Sequence, residues 1–423
     1  MNMNSELFKF IDNSPTAYHT VENVRRALLD DGYTELYEGD VWDLSDGGRY
    51  FTVRSGSSII AFRYKKDASG FMIVSSHSDF PAFKLKSVPE SVGAYTTLNV
   101  EKYGGSILYS WLDRPLSLAG RLVVRCEGGI ESRLVNIERD LVCIPSVAIH
   151  QNREVNEGYR FNPARDIVPI LCSPSSKTSV MDALADAAGV KKDDVINYDV
   201  FLYNREKGKT FGLNDEYIIS PRLDNLECVY SSLEAFLTSR DTGSVPVLAV
   251  FDNEEVGSET KQGAASTFMR DVLTRVAGDS MQRMLSNSFM VSADNAHARH
   301  QAHPELSDNV SSPVLNGGVV IKWNSNQRYT TDAVSSAVFK TVCERCGAKT
   351  QDFYTRADML SGMTLGSISN TKVSVPSVDI GLAQLAMHSS TETAGAEDLS
   401  EMIKALTEFF STSIRVEGSK IKF

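Results

Sequence analysis

From about Ala82 to Leu213 this chain abandons the alternation of helix and strand that governs the sequence on both sides. That interruption limits the folds open to it. Before it, Val21, Val24, Leu28 and Leu29 recur at helical spacing from about Ala17 to Asp31, and Gly32 ends the run. Tyr50 to Val53, Ser58 to Tyr64 and Phe71 to Ser75 then read as strands between Gly- and Asp-rich turns. After it, the spacing predicts a helix over Leu223 to Leu237, a buried strand over Val245 to Phe251, a helix over Ala264 to Arg275 and a strand over Phe289 to Ala293. Alternation of this kind implies a mixed or parallel sheet covered by helices. Inside the interruption the chain reads as short strands, at Lys84 to Val88, Thr97 to Glu101, Leu116 to Arg125 and Val142 to Ile144, with Ser179 to Ala188 the one clear helix. The expectation is an α/β fold whose main domain, residues 1–81 and 214–423, is discontinuous in sequence, a mixed sheet covered by helices. Residues 82–213 form a β-rich insertion.

A chain of 423 residues, 42% hydrophobic and 23% charged, has the composition of a globular protein with a sizeable core. The formal net charge of −11 repels nucleic acid and anionic membrane, so neither is expected as a partner. It would also repel an acidic substrate unless the site supplies local positive charge. No apolar run approaches the roughly 20 residues that span a bilayer. No basic segment followed by an apolar one opens the chain, and the six cysteines are sparse, so a cytoplasmic protein with reduced thiols is expected. Cys343 and Cys346 lie close, but in a helical stretch and without a second pair to complete a metal site.

Five short segments carry the chemistry: Ser76-His77-Ser78-Asp79, Pro221-Arg222-Leu223-Asp224-Asn225, Asp252 to Ser258 with its Glu254-Glu255 pair, Ser292 to His297, and Ala386-Met387-His388-Ser389. Each follows a predicted strand or opens a helix, and open α/β sheets gather ligands beyond the carboxyl ends of their strands. Imidazole and carboxylate are the ligands that zinc-like ions prefer. Two histidines and three carboxylates hold two ions if one carboxylate bridges, and such a pair activates water and clamps an oxyanion. Glu254 and Glu255 offer a base and a ligand side by side. Asp79, two residues after His77, is placed to hold the other nitrogen of that imidazole.

The sequence resembles the aspartyl aminopeptidases, zinc exopeptidases that assemble into tetrahedral dodecamers. The likeness covers nearly the whole chain. It runs through Phe10 to His19, His77-Ser78-Asp79, Tyr103 to Leu108, Trp111 to Arg121, Ser220 to Leu226, Asn326 to Tyr329 and Gln384 to Ser389. The resemblance implies His77, Asp224, Glu255, Asp294 and His388 as ligands of two divalent ions, with Asp224 bridging. Zinc is the implied metal, and cobalt or manganese accept the same ligands. It implies Glu254 as general base, Asp79 as the residue that orients His77, and His150 as a side chain that reaches the active site of a neighbouring subunit. A dimer would then be the building block of the dodecamer. Lys322 and His297 match substrate-pocket positions, with the Lys322 cation suited to an acidic side chain, and Asp358 is a candidate to hold the free α-amine. The implied reaction is removal of an N-terminal residue, preferentially Asp or Glu, from peptides.

The chain departs from that family at Phe80, where a small residue is usual, at Thr391, where Arg is usual, and at Gln301, where Pro is usual. The loop histidine His303 is not expected to bind metal. The readings that compete are an aminopeptidase of broader or non-acidic specificity, a hydrolase of N-acyl amino acids, and a non-catalytic assembly or cargo-binding shell.

Overall fold

A computed structural model describes residues 3–423. Its largest sheet has nine strands. From one edge to the other they are Thr34–Glu35, Arg49–Arg54, Ser58–Arg63, Val245–Phe251, Phe71–His77, Phe289–Ala293, Ser377–Gly381, Val319–Trp323 and Thr350–Tyr354. The four strands from Val245–Phe251 to Ser377–Gly381 run parallel to one another, and antiparallel neighbours flank them. Every residue of those four is buried, which is why they read as continuous apolar runs: helices cover both faces of a parallel sheet. Ala17–Asp30, Leu223–Thr238, Ala333–Cys346 and Asp398–Phe410 pack on one face around Phe236, Phe409 and Phe410. Phe268–Ala277 and Met281–Leu285 pack on the other, around Phe71, Phe251 and Phe268.

A six-stranded sheet, antiparallel throughout, occupies the interruption. Its order is Gly129–Asn136, Leu116–Cys126, Val195–Asn204, Ala82–Val92, Thr96–Tyr103 and Ile170–Cys172. Leu118, Leu122 and Leu202 form its own core with Val180 and Leu184 from the helix Val180–Ala188. That helix starts at the Ser179 capping box with Asp182 and stops at Gly189, whose φ of 65° suits a left-handed cap. A third sheet, of five strands, joins Lys209–Phe211, Tyr217–Ser220, Glu392–Gly395, Ala383–Leu385 and Ala296–His297. Lys209–Phe211 thus pairs outside the sheet that precedes it in sequence.

Local outcomes differ from the sequence pattern at three places. Val142 to Ile144 forms only isolated bridges to Leu116 and Ile170. The helix expected from Ala264 begins at Phe268, because the Gly263 turn and the bond from Ala265 N to Ser258 O hold the preceding residues out of helical geometry. The helix Leu223–Thr238 carries two residues with non-helical angles, Asp224 and Asn225, at its start. Cys343 and Cys346 lie on the helix Ala333–Cys346, and all six cysteines are free. Among the described residues no helix is long and apolar enough to cross a membrane.

Candidate metal centre

Three of the parallel strands end at one edge of the large sheet, and each delivers ligating side chains there. His77 is the last residue of Phe71–His77, Asp294 follows Phe289–Ala293, and Asp252 to Glu255 follow Val245–Phe251. Asp224 enters from the irregular first turn of its helix. His388 enters from the turn between Ala383–Leu385 and Glu392–Gly395, with φ of 66°. Arg222, Asn253 and Ala386 also have positive φ. Non-glycine residues held in this region cost free energy and gather at functional sites.

The side chains converge. His77 Nε2 lies 3.6 Å from Asp224 Oδ1 and 3.5 Å from Asp294 Oδ1. His388 Nε2 lies 3.4 Å from both Asp224 Oδ2 and Glu255 Oε1. Asp224 therefore faces both imidazoles, one with each oxygen. Glu254 closes the group beside His77 and Glu255. Two ligand atoms at 2.0–2.1 Å from a tetrahedral ion lie about 3.4 Å apart, so this spacing fits a cation between the donors. Asp224 Oδ1 and Glu255 Oε1 are buried without a hydrogen-bond partner, which is the condition a bound cation would relieve.

Both imidazoles are aimed the same way. His77 Nδ1 is 3.0 Å from the backbone oxygen of Asp79, and His388 Nδ1 is 3.1 Å from that of Gly105. A proton on each Nδ1 leaves the Nε2 lone pair for the cluster. A Cβ at Gly105 would stand 3.2 Å from His388 Nδ1, so the close approach favours glycine. The Asp79 carboxylate does another task. It accepts from Tyr103 Oη at 2.6 Å and from the backbone N–H groups of Glu254 and Glu255 at 3.1 and 3.2 Å. It fixes the turn that carries both glutamates, and lies 3.5 Å from His77 Nδ1.

The electrostatics share one cause, buried anions short of positive charge. Burial pushes Glu254 up to about 8 and Glu255 well above the usual carboxylate range. Burial opposes charge on the imidazoles, yet Asp224 and Glu255 raise His388 to about 10, and Asp224 and Asp294 raise His77. A divalent cation is what this donor set calls for.

Beside the cluster is a cavity of about 150 Å³, lined by Lys322, His297, Tyr329, Phe353, Thr364 and Met387 among others. Lys322 is buried in the strand Val319–Trp323, with Nζ 3.3 Å from Asp294 Oδ2 and 5.5 Å from the centre of the Tyr329 ring. His297 forms an edge contact with Phe353. Two expected site residues are not brought here. Asp358 is exposed and paired with Arg356 at 2.7 Å, two residues away on the same loop, while Gly362 to Thr364 of that loop line the cavity. His150 lies in an exposed turn of the insertion, outside the cluster.

The three departures fall in different surroundings. Phe80 is buried near the Arg222 guanidinium. Thr391 Oγ1 bonds to Glu206 and Asn204 at 3.1 Å each, and Gln301 is exposed. His303 pairs with Glu305 at 3.0 Å.

Sequence reasoning missed Glu392. Its two oxygens accept from the backbone N–H of Asp224 at 2.9 Å and of His388 at 2.7 Å, tying together two cluster residues from distant parts of the chain. Tyr103 and Asp379 were also missed. Asp379 is buried and accepts from the Thr330 and Thr364 hydroxyls at 2.7 and 2.6 Å, holding the cavity wall.

Residues 10–410 match the family described as aminopeptidase I zinc metalloprotease (M18). The chain belongs to the M18 family of zinc aminopeptidases. It is 41% identical to a probable M18 family aminopeptidase 2 of Clostridium acetobutylicum, over 96% of this chain and 98% of that one. It is 39% identical to the protein of the same description from Pseudomonas paraeruginosa, over 97% and 98%. Among solved structures it is similar to a chain in a complex of Ape4 and Nbr1, with a TM-score of 0.93 and 33% identity over 96% of this chain and 85% of that one. It is also similar to the mApe1 dodecamer of S. cerevisiae, with a TM-score of 0.85 and 27% identity over 97% and 96%. The M18 assignment makes the chain a peptide hydrolase and zinc the family's metal.

Proposed function

We propose that this M18 enzyme removes N-terminal residues, preferentially Asp or Glu, at a centre of two zinc ions bridged by Asp224. His77 and Asp294 would hold one ion, and His388 and Glu255 the other. The ions, when bound, polarise the scissile carbonyl and acidify water. Every remaining task falls to the protein. Glu254 takes the proton from the attacking water and returns it to the leaving amine. It stands beside His77 and Glu255 in the cluster, within reach of a water held there. Asp79 holds the turn that aims Glu254. The exposed position of His150 suits a residue that serves a neighbouring subunit, and a similar chain forms the S. cerevisiae mApe1 dodecamer.

The observation that carries the acidic preference is Lys322. It is a buried ammonium on the wall of a cavity sized for one side chain, in a protein of net charge −11. A desolvated cation there attracts a carboxylate strongly. The experiment is a panel of Xaa-p-nitroanilides assayed on the zinc-loaded protein and on Lys322→Met. Asp and Glu substrates are expected to be cleaved best, and the substitution to abolish that preference while neutral substrates still turn over. Equal or better cleavage of neutral residues by the parent would sink the acidic reading. A broader specificity is the second reading, favoured by the ion pair of Lys322 with Asp294, which already occupies part of the cation.

A further inference from the structure

The turn Ala386 to Ser389 is a ridge with two different sides. Met387 and His388 face the small cavity beside the metal cluster. Ala386 and Ser389, on either side of them, face a groove of about 780 Å³. The backbone N–H of Ile107, which also lines the groove, bonds to His388 O at 3.0 Å, so the groove wall and the ligand loop are one unit. The cavity has room for one side chain. A peptide cut after its first residue must lay the rest of its length elsewhere, and this groove lies across the Ala386 to Ser389 turn from the cavity.

The groove's chemistry suits that chain. Phe211 and Tyr217 face each other across paired strands, with ring centres 5.5 Å apart, and are 40% and 36% exposed. Tyr109 and Val314 extend the apolar floor. Apolar side chains gathered beside an active site mark a surface that something covers. Arg299, also on the wall, is exposed and has no ion-pair partner among the described residues. We propose that this groove binds the first few residues after the scissile bond, favouring apolar side chains, with Arg299 attracting the terminal carboxylate of short peptides. The proposal rests on the aminopeptidase activity alone and not on the acidic preference.

The test holds the best-cleaved N-terminal residue constant and varies the second and third positions of the peptide. Tetrapeptides with Leu or Phe at those positions are expected to show kcat/KM about tenfold above those with Ser there, mainly through KM. Phe211→Ser and Tyr217→Ser should erase that difference, leave hydrolysis of the corresponding anilide unchanged, and leave the mass of the assembly unchanged. Arg299→Gln should raise KM for a tripeptide with a free carboxylate but not for its C-terminal amide. A parent enzyme indifferent to the second and third residues would overturn the proposal. So would Phe211→Ser and Tyr217→Ser variants that shift the assembly mass while keeping the parent's preference, because the groove would then be a contact between copies. An anilide reference that is cleaved well shows that the catalytic centre works, whatever its N-terminal preference.

Discussion

The nine-stranded and six-stranded sheets solve the same problem, burying apolar strands, in opposite ways. The central strands of the first are buried at every residue, and their polar ends converge on one edge. The strands of the second are covered unevenly: Leu116 to Gly120 is buried throughout, while the outer strands are partly exposed. Gly129–Asn136 is largely exposed, and Ile130, Val147 and Ile149 of the same region stand in solvent. A doubly covered parallel sheet spends its surface on helices and keeps its carboxyl edge for chemistry. A half-covered antiparallel sheet keeps a face free for contact. The helix Ala17–Asp30 joins the two. Tyr18 bonds to Asp199 of the six-stranded sheet at 3.3 Å, and Arg121 lies over its ring, while Val21, Val24 and Leu28 sit in the core of the large sheet.

That contrast predicts where substitutions act on chemistry and where on stability. The largest effect belongs to the catalytic edge. Glu254→Gln should lower kcat by ~10²–10⁴-fold with zinc content unchanged, measured by steady-state kinetics beside metal analysis. Normal turnover in the zinc-loaded variant would remove Glu254 from the mechanism. Next is the core of the six-stranded sheet. Leu118→Ala deletes a fully buried side chain and should cost ~2–5 kcal/mol in denaturant unfolding, while the rate per folded molecule stays near that of the parent. A large kcat loss without destabilisation would show that the two regions are not separable.

Glu392 sharpens the comparison from the other side, since it is structural in form but serves the site. Glu392→Ala leaves the N–H groups of Asp224 and His388 without their acceptor. Zinc affinity should fall by about 10–100-fold, with activity recovered at high zinc and Glu392→Gln intermediate. Unchanged affinity in a chelator competition would reduce Glu392 to a packing residue.

The smallest effect sits at the joint. Burial, with Arg26 nearby, lowers His19 from 6.5 to about 4, and its Nδ1 pairs with Thr16 Oγ1 at 2.8 Å. The unfolded chain therefore binds a proton that the folded chain refuses. This contribution is complete above pH 6.5 and is lost as pH falls toward 4. Comparing the parent with His19→Gln at several pH values should show a flatter acid limb in the variant. Parallel limbs would mean that His19 is solvated.

The sequence alone determined the buried strands Val245–Phe251 and Phe289–Ala293, because continuous apolar runs bounded by polar turns have one economical use. It also placed His77, the glutamate pair and Asp294 at strand ends, where side-chain chemistry and position agree. What it left open was decided by contacts between distant segments. Asp224 was expected as a ligand at the start of a regular helix, and the bond of its N–H to Glu392 accompanies the irregular first turn that the sequence did not show. Lys322 was expected at the substrate pocket only through the family resemblance, and its burial comes from the neighbouring strands, with the Asp294 carboxylate as its partner. Asp358 had the right residue type, but Arg356 on its own loop holds it. Periodicity and residue type are local properties that a single segment displays. Desolvation, pairing and aim depend on what packs against that segment, and they exist only once the chain has closed.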